Sequence, residues 1–314
     1  MMNVRNEPLY PGIQPTPLEI DLIQSSYLRR LKHLAHYGAG SFVSPVTHSR
    51  FEHTIGVWKL AAYFFPEHHL LRASALLHDI GHLPFSHAVE RTLGYNHHQL
   101  TLKYIQSNDI SSRLKKAGIS TDDVCHLLTN QSPLTGTDLV LGLDHLDSFI
   151  RDTYMMGDLN RDPSEILTNL SCTEKGISTD QQTAEWLLSI IVKDHTYMHA
   201  PMLKAADRLL AEAVHLHWFS VKQDFSFLID AQVTAQLIQS PNAKARSIIQ
   251  ALLFEPNRIH VSETITGTGY VVPKGKIYHR LPLINGDEMT QTDQASTFAT
   301  ELESMLKEYE VCLK

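Results

Sequence analysis

Residues 75–87 read ALLHDIGHLPFSH. The apolar run Ala75-Leu76-Leu77 leads into His78-Asp79, and His82 and His87 follow around Gly81 and Pro84. A helix that only filled a core has no use for such an ending, and a solvated helix is not led in by three apolar residues. The stretch therefore predicts a buried helix over 68–81, broken at Gly81 and Pro84, that presents metal-ligand side chains to the interior.

Outward from this stretch, composition sets bounds. The chain has 314 residues, 43% of them hydrophobic and 19% charged, enough for a large core with one main domain and a smaller appendage. A net charge of -7 argues against nucleic acid as the main partner. Residues 1–10, MMNVRNEPLY, carry no apolar h-region, and no segment approaches 18 uninterrupted apolar residues. The three cysteines, Cys125, Cys172 and Cys312, form no CxxC pair, as expected of reduced thiols in a cytoplasmic protein. Of 19 histidines, nine (His48, His53, His68, His69, His78, His82, His87, His97 and His98) fall between residues 48 and 98 without forming a tag-like run. Imidazole is both the commonest metal ligand and the usual acid or base near neutral pH.

The predicted fold class is mainly α. LEIDLIQSSYLRRLKHLAHYG reads as one helix stopped by Gly38, RFEHTIGVWKLAAYFF as an amphipathic helix stopped before Pro66. HAVERTLG, HHQLTLKYIQ, SSRLKKAG, TDDVCHLLTN and DLVLGLDHLDSFIRDTYMMG continue the helical pattern. LTNLSCTEKGISTD predicts a two-stranded ribbon. A long helix from TAEW to HLHWF follows, with Pro201 as a kink. Beyond it come two helical patterns, a few strands within RIHVSETITGTGYVVPKGKIYHRLPLI, and a last helix over TFATELESMLKEYEVCLK. We expect a helical catalytic body over 1–220, with its core region at 48–155, and a small α+β region over 221–314.

A metal site in a helical protein draws ligands from several helices that converge on the core. His53 lies in RFEHTIGV, ahead of His78-Asp79, and Asp144 lies on a later helix that also carries Asp138, Asp147 and Asp152. Two imidazoles and two carboxylates make a mixed N/O donor set suited to Mn, Fe, Co or Zn, with Mg also admitted, and leave coordination positions open. Spacing alone leaves the alternative that His78 and Asp79 cap a helix and Asp144 forms a surface ion pair.

The order H…HD…D, with RFEH ahead of HDIGHLPFSH, resembles the HD superfamily of metal-dependent phosphohydrolases. Within it, the chain resembles the deoxynucleoside triphosphate triphosphohydrolases, the dGTPase-like branch. YLRRLKHLAHYGAGSFVSPVTHSRFEHTIGV is similar to that branch's leading segment, GLDHLDSFIRDTYMMG to its aspartate-bearing helix, and TYMHAPMLKAADRLL to its later Y-x-H helix. The resemblance spans roughly residues 20 to 215 and implies an HD-domain helical bundle. It implies metal ligands His53, His78, Asp79 and Asp144, a general acid at His82, an acidic partner at Glu90 and a further active-site histidine at His97. It also puts His87 in the pocket, Arg50 at the α-phosphate, Asp152 near the sugar and Tyr197 near the nucleobase. The implied chemistry is hydrolysis of a nucleotide phosphoester by metal-activated water, foremost of a deoxynucleoside triphosphate to deoxynucleoside and triphosphate.

Departures fall where the branch holds triphosphate and sugar. His36 replaces a glutamine, His145 and Ser148 a lysine and a tyrosine, Ser189 an arginine and Ala200 a lysine. A triphosphate is normally clamped by several basic side chains, so Lys193, Lys204, Lys32 or Arg30 would have to substitute. The alternatives are a nucleoside monophosphatase or other small phosphoester hydrolase, a di-iron oxygenase on the same fold using His82, His87, His97 and His98, or a non-catalytic nucleotide sensor. The resemblance further implies a homo-oligomer.

Overall fold

The computed structural model describes residues 7–219, 221, 223–289 and 292–314, so the first six residues of the leader reading lie outside the described residues. Among the described residues it has fifteen α-helices and seven short strands, which makes it mainly α, with most strands toward the C-terminus. Where one helix is predicted over 18–38, there are two, α1 (Pro17–Gln24) and α2 (Ser26–Leu31). Ser25 divides them: it closes α1 in an extended conformation, and its Oγ accepts the Leu28 N–H at 3.3 Å as the cap of α2. Helix α3 (Arg50–Phe64) starts from a reciprocal Ser49–Glu52 capping box. Helix α4 (His69–Leu77) ends one residue before the His-Asp pair, with His78 as its cap.

Short helices follow: α5 (Glu90–Leu93), α6 (His97–Ile105), α7 (Asn108–Lys116) and α8 (Thr121–Thr129). Helix α9 (Leu143–Met155) carries the aspartates, and α10 (Pro163–Thr168) leads into the predicted ribbon, β1 (Leu170–Thr173) and β2 (Gly176–Thr179). The single long helix predicted next is two, α11 (Gln181–Met198) and α12 (Pro201–Trp218). Ala200, the residue before a proline, is driven out of helical geometry (ψ 131°), and Pro201 opens α12. So the expected kink is a full break.

The rest comprises α13 (Asp230–Ile238), α14 (Ala243–Phe254), β3 (Ile259–Ser262), β4 (Tyr270–Val272), β5 (Leu283–Ile284), β6 (Asp287–Glu288), α15 (Asp293–Ser304) and β7 (Tyr309–Leu313). The last helix is predicted to continue to residue 314, but it stops at Ser304 and β7 replaces its end. The reason is local. Strand β7 lies between β3 and β4, and the Glu310 carboxylate accepts backbone N–H groups of Thr266, Gly267, Thr268 and Gly269 in the preceding turn. Strand β5 joins β2 in a second sheet of order β1-β2-β5-β6. Just before it, Leu281 exchanges backbone hydrogen bonds with Leu139 and Leu141, ahead of α9. No helix among the described residues is long and apolar enough to cross a membrane.

One packing detail positions everything that follows. Helix α3 crosses α9 at Gly56, where an added Cβ would lie 2.0 Å from Asp147 Oδ1 and 2.2 Å from an Arg151 guanidinium nitrogen. The glycine of RFEHTIG therefore sets the closeness of the two helices. We expect Gly56→Ala to lower stability by about 1–3 kcal/mol, visible as an earlier unfolding midpoint in denaturant and as weaker metal retention.

Candidate metal centre

Three elements deliver the central side chains. His53 projects from the first turns of α3, His78 and Asp79 from the end of α4, and Asp144 from the first turn of α9. His53 Nε2 lies 3.0 Å from Asp144 Oδ1 and 3.3 Å from His78 Nε2. His78 Nε2 in turn lies 3.5 Å from both Asp79 Oδ1 and Asp144 Oδ1. His53 and Asp79 are buried, while the Asp144 side chain keeps 28% exposure, which leaves one approach from solvent.

The far side of each ring explains which atoms face inward. His78 Nδ1 donates to the Ala75 carbonyl at 2.8 Å, because a carbonyl can only accept. His53 Nδ1 donates to Asp147 Oδ2 at 2.8 Å, and Asp147 is pinned by Arg151 through two bonds of 3.0 and 2.9 Å. Both Nε2 atoms are thereby turned toward each other and toward two carboxylates. Lone pairs and negative oxygens so close together require positive charge between them, and ring nitrogens fixed from behind by a carboxylate or carbonyl are the usual support of metal-bound histidines. The donor set fits a divalent transition ion.

The electrostatics say the same. Burial alone would lower His53, yet hydrogen bonds and charge from Asp144 and Asp147 raise it to about 9. Burial likewise opposes a charged His78, and Asp79 with Asp144 raises it. Asp79 and Asp144 are held well below the carboxylate range despite burial, Asp79 by His82, His78 and Arg50, and Asp144 by His78, His145 and His53. A proton on His53 and a cation thus compete for one place. His53, raised above its unfolded value of about 6.5, stabilises the metal-free fold fully below that value and loses the contribution as pH rises toward about 9. We expect the melting temperature of chelator-treated protein to fall between pH 6.5 and 9, and excess Mn(II) to flatten the fall.

The other predicted site residues group unevenly. His82 Nε2 lies 3.2 Å from Asp79 Oδ1, and its ring stacks on His97 with centroids 4.1 Å apart. Glu90 Oε1 accepts from His97 Nδ1 at 2.7 Å and Oε2 lies 3.6 Å from His87 Nδ1, so its partners are these histidines. His87 is largely exposed, with its ring 5.1 Å from that of His82. Arg50 bonds Asp79 Oδ2 and Ser86 Oγ, both at 2.7 Å. His145 lies at the edge, 3.8 Å from Asp144, and stacks on Tyr278 at 4.0 Å. Ser148 only approaches the Asp144 carbonyl, at 3.5 Å. His36 and Asp152 sit behind His53, with the His36 ring 4.8 Å from that of His53. Tyr197 is half-buried near the end of α11, and among the described residues no hydrogen bond or ring contact joins it to His53, His78, Asp79 or Asp144.

Of the four basic residues named as substitutes for the missing clamp, two are committed elsewhere. Arg30 donates to the carbonyls of Leu228, Ile80 and His82, and Lys193 to that of Asp158. Three contributors were given no site role from sequence: Asp147 behind His53, Tyr278 against His145, and His48 beside His36. Asp147 had a local signal, since it stands three residues after Asp144 and four before Arg151. Tyr278 had none, because only the tertiary fold brings residues 278–281 to α9.

Comparison with known proteins agrees with this geometry. The model of the HD domain family matches residues 50–149. An uncharacterized protein of Methanocaldococcus jannaschii, MJ1154, is 30% identical over 231 residues, covering 68% of this chain and 49% of that protein. The human deoxynucleoside triphosphate triphosphohydrolase SAMHD1 is 29% identical over 154 residues, covering 40% of this chain and 25% of that enzyme. The chain thus spans half or less of the length of these relatives. A solved structure of a phosphohydrolase from Bacteroides thetaiotaomicron shares the fold with a TM-score of 0.68 over 96% of both chains, at 17% identity. The family match runs from α3 into α9 and takes in His53, His78, Asp79 and Asp144, so residues 50–149 of the chain form an HD domain.

Proposed function

We propose that the protein hydrolyses a nucleotide phosphoester at a divalent metal held by His53, His78, Asp79 and Asp144, with a deoxynucleoside triphosphate as the first substrate to test. The observation that carries this reading is the pair of Nε2 atoms 3.3 Å apart, each fixed from behind and facing carboxylates. When bound, such an ion acidifies water and withdraws charge from phosphoryl oxygens.

The chain's own residues do the rest. Arg50, buried against Asp79, keeps that carboxylate ionised and oriented, and places a guanidinium beside the reacting phosphate. A leaving oxygen needs a proton, and the stacked His82–His97 pair stands beside the ligand cluster to deliver it. Burial holds His82 well below the ordinary histidine range. His97, held by Glu90, is a carboxylate-supported imidazole of the kind that transfers protons. His87, largely exposed, and His145, stacked on Tyr278, flank the cluster, with Ser148 one turn beyond Asp144.

A second reading, hydrolysis of a nucleoside monophosphate, is favoured by the engagement of Arg30 and Lys193 with backbone carbonyls, which leaves fewer cations for a triphosphate. Phosphorus NMR of metal-loaded protein with each deoxynucleoside triphosphate and monophosphate separates the two. Release of inorganic triphosphate is the expected result. Release of orthophosphate from monophosphates alone selects the second reading, and no hydrolysis of either removes both.

A further inference from the structure

Behind the ligand cluster lies a second group with the same donor chemistry. His36, His48 and Asp152 each bring one ligand atom within 4.8 Å of the others. His48 Nε2 is 3.4 Å from Asp152 Oδ1, His36 Nε2 is 3.9 Å from Asp152 Oδ2, and the two imidazoles stack with centroids 4.6 Å apart. His48 is 4% exposed and Asp152 2%. Yet both ring nitrogens of His48, Nδ1 of His36 and Oδ1 of Asp152 have no hydrogen-bond partner among the described residues. Asp194, on α11, faces Asp152, and its Oδ1 also lacks a partner.

Buried polar groups are nearly always paired, and each unpaired one costs about 1–3 kcal/mol. Here several unpaired atoms belong to side chains gathered at one place. Two buried carboxyls side by side also cannot both ionise without positive charge between them. The neighbouring guanidinium, Arg151, is occupied by Asp147 and Glu7, each at 2.9 Å. A cation answers both needs at once: it takes a lone pair from each imidazole and allows the carboxylates to ionise.

We propose that His36, His48 and Asp152, supported by Asp194, hold a second divalent transition ion beside the one at His53, His78, Asp79 and Asp144. The two sets share no ligand, though the His36 and His53 rings are in contact. Two nitrogens and carboxylate oxygen suit zinc or manganese rather than a hard ion such as magnesium. The ion ties together the segment before α3, α9 and α11. It also gives His36 and Asp152 a role in place of direct contact with a sugar, and it leaves the reaction class as proposed.

The test is a metal count that needs no substrate. Chelator-stripped protein is reloaded with Zn(II), passed through a desalting column, and assayed for zinc per chain by plasma mass spectrometry, with circular dichroism as the check on folding. Wild type is expected to retain two ions. His48→Gln and Asp152→Asn are each expected to retain one, His78→Gln one, and the His48→Gln/His78→Gln double variant none. His87→Gln controls for the nearby His82-His87-His97 group and is expected to retain two. One ion in wild type that survives His48→Gln and disappears in His78→Gln overturns the second site and leaves the first standing. One ion with the opposite behaviour supports the second site and removes the first. Two ions in His48→Gln, with one in His87→Gln, moves the extra ion to the other histidine group and overturns the inference, as does no retained ion in wild type. Should both substitutions at the second site unfold the chain, the wild-type, His78→Gln and His87→Gln counts decide: two, one and two support it, whereas one ion in wild type with none in His78→Gln, or one ion in His87→Gln, overturns it.

Discussion

His78→Ala is expected to abolish tight metal binding among His53, Asp79 and Asp144 and to lower turnover by about three orders of magnitude, because Lewis-acid stabilisation worth several kcal/mol disappears. The side chain ends α4, donates Nδ1–H to the Ala75 carbonyl and sends Nε2 into the cluster. Alanine removes that donor but leaves the helix, whose buried face is Leu71, Ala73, Ala75, Leu76 and Leu77, in place. The loss should therefore appear in metal analysis and in kcat, with circular dichroism unchanged. Wild-type metal content in the variant would refute the assignment of His78 as a ligand.

Asp147→Asn has the largest expected effect on stability. Asp147 is fully buried, accepts from His53 Nδ1 and forms a two-bond ion pair with Arg151. Its carboxyl is lowered to about 2, burial being outweighed by Arg151 and His53. Substitution leaves the Arg151 guanidinium with only Glu7 as a counter-charge, and breaking a buried pair costs about 3–5 kcal/mol. It also frees the His53 ring, and losing such support weakens metal affinity about 10–100-fold. Chemical denaturation and a metal competition titration measure the two effects separately. Arg151→Met with intact metal affinity but reduced stability would assign the affinity effect to the Asp147–His53 bond.

What could be read from the chain is what short-range chemistry determines. The burial of ALLHD, the stop of α3 before Pro66 and the β1–β2 ribbon follow from local patterns, and HD with RFEH pointed to four residues that lie side by side in the fold. The misread stretches have local causes that a hydrophobic pattern does not carry. Ser25 competes for the backbone and splits a helix, Pro201 acts through the residue before it, and Glu310 finds its amide partners more than forty residues away. The same limit applies to the pocket. Glu90 stands seven residues from His97 and the pairing is short-range, whereas Tyr278 reaches His145 across 133 residues. His48 carried no motif, and its meaning comes only from its burial with both ring nitrogens unpaired.

The most direct test of the metal centre is an anomalous difference map from a crystal soaked in Mn(II), collected at a wavelength where manganese scatters anomalously. The account predicts a peak enclosed by His53, His78, Asp79 and Asp144, and its disappearance in crystals of His78→Ala. Mn(II) bound in solution but with no density among those four side chains would contradict it.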